Sequence, residues 1–142
     1  MKQFQKLIDV AKKLRSPTGC PWDRKQTILS LAKSLEEESD EALAAIRKKD
    51  FANLEEELGD LLFNIVMIAQ IATEEKKFKM SGILQKIERK IIARHSWVFG
   101  PDRKKVKTAE DALRLWKENK AKIKAAEISR AEKASKKTSG KR

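Results

Sequence analysis

Apolar residues recur at intervals of three and four along most of this sequence, the spacing that places side chains on one face of an α-helix. The pattern predicts five helices and no strand. The first ends near Arg15, before SPTGCPWD (residues 16–23), where two prolines and a glycine exclude a helix interior. The others are expected from Thr27 to Ile46, from Asn53 into the low 70s, from Ile83 to His95, and from Thr108 onward. The predicted fold class is therefore all-α.

Two acidic pairs border the apolar faces of the second and third predicted helices. On a wheel of about 100° per residue, Glu38 and Glu41 lie on one shoulder of the second helix. Glu57 and Asp60 take the same place on the third. A short link joins these helices, so we expect an antiparallel hairpin that brings the two pairs together.

Acids at positions i and i+3 repel one another, and half-buried carboxylates lose hydration that nearby cations must replace. Four carboxylates without sulfur or imidazole match a hard divalent ion, Mg²⁺ or Mn²⁺. The alternative is that each pair only edges the core and bonds lysines elsewhere in the chain. Two matched pairs on adjacent helices favour the metal. Asn64, on the same shoulder as Asp60, would either reach a ligand or be a satisfied amide at the core edge.

Basic and aromatic residues supply a candidate partner for phosphate and base. Lys90 and Arg94 are four residues apart on the fourth helix and would bind phosphate oxygens, although surface helices often carry such pairs. Trp22 and Trp116 are candidates for stacking on a base, or else core residues.

The chain carries 33 Lys and Arg against 21 Asp and Glu, a formal net charge of +12. Residues 120–142 hold nine of the basic residues and two of the acids. We expect a domain at residues 1–123 and a basic, disordered tail at 124–142, which solubilises the protein or binds nucleic acid. The single cysteine and the lack of a membrane-length apolar run predict a cytoplasmic protein with no membrane contact.

Several stretches together resemble the MazG family of nucleoside triphosphate pyrophosphohydrolases. They are LRSPTGCPWDRKQT (14–27), the EExxE of residues 37–41, EELGDLL (56–62), KIIARH (90–95), VFG (98–100) and AEDALRLWKENK (109–120). One departure is Ser96 and Trp97, where the family usually has Pro and His.

The resemblance implies an all-α homodimer that uses Mg²⁺ to hydrolyse an NTP or dNTP to the monophosphate and pyrophosphate, as in nucleotide-pool house-cleaning. It implies that Glu38, Glu41, Glu57 and Asp60 hold the metal. Lys90, Arg94 and Trp116 match the family's substrate contacts, and we expect Glu38 or Glu41 to accept the proton of the attacking water.

Three alternatives stay open. One is a pyrophosphohydrolase restricted to dUTP or phosphoribosyl-ATP. A di-iron carboxylate bundle is a second, although the chain lacks its usual Glu-x-x-His motif. The third is a helical protein without catalytic activity that binds nucleic acid through its tail.

Overall fold

The computed structural model describes residues 2–139 of the 142-residue chain, with side chains up to residue 133. Its regular structure is entirely helical, so the all-α prediction is confirmed for this part of the chain. The elements are α1 (Lys2–Leu14), α2 (Pro21–Lys25), α3 (Leu31–Lys48), α4 (Phe51–Glu74), α5 (Met80–Arg94), α6 (Ser96–Phe99), a 3-10 helix (Pro101–Lys105) and α7 (Ala109–Ser139). Between residues 2 and 139, none of these helices is long and apolar enough to cross a membrane.

The helices divide into two compact units, Met1–Ile83 and Leu84–Arg142. The core of the first unit forms where α1 packs on α4 and the start of α3 closes over both. Its buried members are Ala11, Leu31, Val66, Met67 and Ile71. This core holds the α4 backbone in place, and with it the polar side chains on the neighbouring face of α4.

The predicted hairpin is formed by α3 and α4, which pack against each other. The chain reverses at Lys49, whose φ of 57° is left-handed and ends α3. Asp50 then caps α4 by accepting a 3.2 Å hydrogen bond from the backbone N–H of Asn53. The short turn sets the register that brings the acids of the two helices together.

The segment SPTGCPWD was expected to contain no helix interior, but α2 begins inside it at Pro21. Proline is well tolerated at the first position of a helix, where its missing N–H would have no intrahelical partner. After α2, Thr27 and Ser30 exchange hydrogen bonds between side-chain oxygens and backbone N–H groups at 2.9 and 3.0 Å. Thr27, the expected start of this helix, therefore bonds within the turn before α3, and the N-cap residue of α3 is Ser30, which makes no side-chain cap bond.

The second unit ends in α7, which starts with the predicted cap. Thr108 Oγ1 accepts from the backbone N–H of Asp111 at 3.2 Å, and Asp111 Oδ2 accepts from that of Lys107. The helix then continues to Ser139, where composition had predicted disorder from residue 124. Alanine, lysine and glutamate favour a helix, and no glycine or proline interrupts this stretch before residue 140. Residues 140–142 lie outside the described residues, and the division at residue 123 stays a prediction.

Candidate functional site

Three of the four predicted metal-binding acids converge on the inner side of the hairpin. Glu38 and Glu41 come from α3 and Glu57 comes from α4, and each offers a carboxylate oxygen within 4.8 Å of the others. Glu57 is buried, with 7% of its surface exposed, while Glu38 is half-buried and Glu41 is exposed. We call these three residues the acid cluster.

Repulsion within the acid cluster is not relieved by neighbouring cations. Among the described residues, none of the ion pairs involves Glu38, Glu41 or Glu57. By contrast, the adjacent Glu37 is exposed and pairs with Lys33 one turn earlier at 3.2 Å. Successive residues of a helix are about 100° apart, which turns Glu37 away from Glu38 toward the solvent side of α3.

Burial and like charge act together on the acid cluster. Burial raises the pKa of Glu38, and the negative charges of Asp60 and Glu41 raise it further. Burial likewise raises the pKa of Glu57, with Glu41 and Glu38 adding to the effect. Both carboxylates are therefore costly to ionise in the absence of a cation.

Asp60, the fourth predicted ligand, does not join the three converging carboxylates. It is exposed on α4, one turn after Glu57, and lines a cavity together with Glu38. Its charge acts on Glu38, as the raised pKa of that carboxyl indicates. A ligand role for Asp60 stays a prediction.

The donors of the acid cluster fit a hard divalent cation. All are carboxylate oxygens, from side chains on two helices, with no histidine or cysteine among them. A cation would replace the hydration that Glu57 has lost and offset the repulsion that raises its pKa.

A cavity of about 370 Å³ opens beside the acid cluster within the first unit. Glu38 and Asp60 lie on its acidic side, and Trp22, Phe63 and Met67 contribute apolar surface. Trp22 is 73% exposed, so it is a wall of the cavity and not a core residue. Its predicted substrate contact is untested, but the core alternative for this tryptophan is wrong.

The predicted phosphate-binding and stacking residues lie on α5 and α7. In the second unit, the guanidinium carbon of Arg94 lies 4.9 Å from the centroid of a Trp116 ring. Arg94 Nε is buried and has no hydrogen-bond partner among the described residues. Asn119 holds this arrangement by donating to the backbone oxygen of Arg94 at 3.3 Å and to Ser96 Oγ at 2.8 Å. Lys90 is exposed on α5. Arg94 and Trp116 are thus together, with donor capacity left on the guanidinium.

Sequence reasoning missed the role of Arg15. Its guanidinium donates to both carboxylate oxygens of Glu74 and to the backbone oxygens of Asp23 and Gln26. These bonds tie the end of α4 to the wall of the cavity formed by α2. The only local signal was an arginine at the end of an amphipathic helix, since Glu74 lies 59 residues away.

The fold and the site together define a class: an all-α protein whose central hairpin carries a carboxylate cluster beside a cavity. The family model of the MazG nucleotide pyrophosphohydrolase domain matches residues 26–99, which include the whole hairpin. The chain belongs to the MazG family, as its motifs predicted.

Named relatives support this membership. The nucleoside triphosphate pyrophosphohydrolase/pyrophosphatase MazG of Thermotoga maritima is 45% identical over 97 residues, which are 68% of this chain and 38% of that protein. The nucleoside triphosphate pyrophosphohydrolase of Escherichia coli K12 is 38% identical over 126 residues, 88% of this chain and 47% of that protein. This chain therefore spans less than half the length of either relative.

A solved structure shares the fold. The crystal structure of a mazG-related protein from Thermotoga maritima matches with a TM-score of 0.67 and 32% sequence identity. The match covers 85% of this chain and 99% of that chain.

Proposed function

We propose that this chain hydrolyses a nucleoside triphosphate, an NTP or dNTP, to the monophosphate and pyrophosphate with Mg²⁺, and that Mn²⁺ substitutes for Mg²⁺. The observation that carries the proposal is the acid cluster, whose three carboxylate oxygens lie within 4.8 Å of one another. Within the part of the chain that the structure describes, no cationic side chain is paired to them. Membership in the MazG family and the names of the relatives support the same reaction.

Glu38, Glu41 and Glu57 would hold the metal, with Asp60 as a further candidate ligand on the same side of the cavity. When bound, a divalent ion supplies positive charge against the triphosphate and makes water more acidic. The hard carboxylate donors are suited to an ion that also takes phosphate oxygens as ligands.

The reaction needs a base for the attacking water. Its oxygen forms a bond to the α-phosphorus, the bond from that phosphorus to the bridging oxygen breaks, and pyrophosphate leaves with this oxygen. The water proton passes to Glu38 or Glu41. A raised pKa suits Glu38 to this role, because a more basic carboxylate accepts a proton more readily.

Arg94, Lys90 and Trp116 are proposed to contact the substrate. Arg94 Nε has no partner among the residues that the structure describes and so has a donor left for a phosphate oxygen. Cation–π contact with Trp116 orients the guanidinium plane. Lys90 is exposed and adds a positive charge on α5.

A homodimer is part of the proposal. The hairpin exposes an apolar stripe whose members each have between 38% and 54% of their surface accessible: Leu43, Ile46, Leu58, Leu62 and Ile65. These residues recur at the helical spacing of an apolar face, yet the chain alone leaves them uncovered. A second copy would bury the stripe, and a contiguous patch of this kind is typical of an interaction surface.

The test is pyrophosphate release from a panel of NTPs and dNTPs with Mg²⁺. Glu57→Gln and Glu38→Gln should lower turnover by roughly 100-fold or more, since each removes a charged ligand or the base. Asp60→Asn is expected to lower it as well. Glu56→Gln and Glu36→Gln are matched controls at exposed positions of the same two helices, outside the cavity lining, and should keep normal rates.

Near-normal turnover in both Glu38→Gln and Glu57→Gln would refute this site. Release of orthophosphate instead of pyrophosphate would refute the reaction. Turnover confined to dUTP or phosphoribosyl-ATP would support the narrow-specificity alternative.

A further inference from the structure

The cavity beside the acid cluster presents two side-chain amides, from Gln26 and Asn64. Its volume of about 370 Å³ lies within the range of roughly 300–1,000 Å³ that small-molecule sites occupy. Phe63 and Met67 of α4 and Trp22 of α2 supply apolar and aromatic surface around these amides. Charged side chains, among them Lys33, Glu38 and Asp60, also line the cavity. The wall therefore offers flat apolar groups that suit an organic ring and polar groups that suit the rest of a nucleotide.

The two amides differ in the hydrogen bonds that they make. Gln26 is satisfied within its own loop, because its oxygen accepts from Ser30 Oγ at 2.7 Å and its nitrogen donates to the backbone oxygen of Trp22 at 3.3 Å. Asn64 donates through Nδ2 to the backbone oxygen of Asp60 at 3.3 Å. Among the hydrogen bonds of the described residues, none uses Asn64 Oδ1.

Asn64 is also the more buried amide, with 7% of its surface exposed. Buried polar side chains in folded proteins nearly always have hydrogen-bond partners. The bond from Nδ2 to the α4 backbone holds the amide in place and leaves the carbonyl oxygen as an acceptor at the cavity wall. Arg94 Nε is the one fully buried side-chain polar atom without a partner among the described residues, so Asn64 Oδ1 is reached by solvent and can accept from a donor on a ligand.

We propose that this cavity holds the base of the nucleoside triphosphate and that Asn64 Oδ1 accepts a hydrogen bond from an N–H group of that base. The inference rests on the proposed function, since the acids on one side of the cavity would bind the phosphate end of the substrate. The nucleoside then extends from Glu38 and Asp60 toward Phe63 and Trp22. Asn64 becomes a specificity-determining residue that favours bases with a donor over analogues without one.

The first experiment pairs nucleotides that differ in one donor. ATP is compared with the purine analogue that lacks the 6-amino group, CTP with the analogue that lacks the 4-amino group, and UTP with its N3-methyl derivative. The protein should favour the donor-bearing member of the best pair by about 3- to 10-fold in kcat/KM, the range expected for one neutral hydrogen bond. In Asn64→Leu, which keeps the side-chain size, this preference should disappear, mainly through a higher KM.

Two further substrates separate the base from the rest of the nucleotide. Methyl triphosphate has no base, so its hydrolysis should be the same in Asn64→Leu and in the unaltered protein. A 2′,3′-dideoxynucleotide lacks the sugar hydroxyls and should still lose efficiency in Asn64→Leu. If instead the effect of the substitution vanished with the dideoxynucleotide, Asn64 would bind the sugar and the assignment to the base would be wrong.

A binding measurement gives a readout that is independent of turnover. Calorimetric titration with the α,β-methylene analogue of the preferred nucleotide should show 3- to 10-fold weaker binding to Asn64→Leu. Asn53→Leu makes the same chemical change at an exposed position of α4 and should alter neither binding nor turnover. Asn64→Ala serves the same comparison if the leucine variant does not fold.

The inference and the proposed function fail differently. Equal loss of methyl triphosphate and nucleotide hydrolysis in Asn64→Leu would show that Asn64 shapes the catalytic centre, which overturns the base assignment but leaves the reaction standing. The absence of pyrophosphate release from every triphosphate with the unaltered protein would overturn the reaction itself, and the inference with it.

Discussion

Replacing Arg15 with alanine should destabilise the first unit more than replacing any exposed residue of α1, the helix that ends just before it. The Arg15 side chain is 9% exposed and its guanidinium makes three contacts with Glu74, the shortest a 2.6 Å bond from Nη2 to Oε2. Its Nη1 also donates to the backbone oxygens of Asp23 at 2.5 Å and Gln26 at 3.1 Å. The substitution therefore removes an ion pair and the bonds that close the end of α2.

The size of the effect follows from these contacts. Each bond from the charged donor to a buried backbone oxygen contributes about 1 kcal/mol net. The pair with Glu74 contributes about 1 kcal/mol more, because the Glu74 side chain is 37% exposed and solvent screens the interaction. The total of about 3 kcal/mol corresponds to a fall in Tm of about 6–12 °C for a chain of this size.

Thermal unfolding followed by circular dichroism measures this fall, and Lys12→Ala is the control. Lys12 lies in the last turn of the same helix and is exposed, so its removal should shift Tm little. A double-mutant cycle with Glu74→Gln should show coupling of about 1 kcal/mol between the two residues. Additive effects, with no coupling, would refute the assignment of the pair.

The pair also predicts a pH dependence. The hydrogen bond from Arg15 lowers the pKa of Glu74 below its ordinary value. Because the folded pKa lies below the unfolded value of about 4.3, the stabilisation is fully present above that pH. It is lost as the pH falls through the folded pKa. The unaltered protein should exceed Glu74→Gln in free energy of unfolding by the full amount near pH 7, and this difference should shrink below about pH 4.3. A difference that stays constant down to strong acid would contradict this reasoning.

Two further predictions concern the hairpin. In the metal-free protein at pH 7, Glu57→Gln should raise Tm, because the pKa of Glu57 is raised in the folded state and its ionisation therefore destabilises the fold. Mg²⁺ should raise the Tm of the unaltered protein but not the Tm of this variant. A metal-free variant with a lower Tm than the unaltered protein would contradict this reasoning. If a second copy covers the apolar stripe, Leu62→Glu should halve the molar mass measured by light scattering. Leu29→Glu, at an exposed position outside the stripe, is the control and should leave the molar mass unchanged. An unaltered protein that is already monomeric would refute the dimer.

The hairpin and its acids were predictable because they depend on local spacing. Helical periodicity alone separates Glu38 from its neighbour Glu37, and the same rule identifies Glu57 as the inward acid of α4. The wheel was less accurate for Glu41 and Asp60, which are both exposed. A wheel gives the direction of a side chain around its own helix, but the exposure of that side chain depends on what packs nearby.

Long-range contacts account for most of what the sequence did not reveal. Arg15 and Glu74 are distant in the chain, and no local pattern links them. The short helix α2 lies between two turns whose geometry depends on that guanidinium. The apolar stripe shows the opposite case: Leu58 and Leu62 were correctly assigned to an apolar face, but periodicity does not say whether the same chain or another covers it.

The acid cluster connects stability with function because protons and cations compete for the same oxygens. Glu38 and Glu57 bind a metal in their ionised form, and burial and like charge, which raise their pKa values, make that form more costly. Acidification should therefore weaken metal binding, because protons compete with the cation for these oxygens. The burial of Glu38 and Glu57 and the repulsion between their charges would thus have two effects. They would weaken metal binding, and they would make the metal-free hairpin less stable at high pH. A substitution that relieves the repulsion should stabilise the fold and abolish the site together, so selection for stability alone would not retain three converging carboxylates.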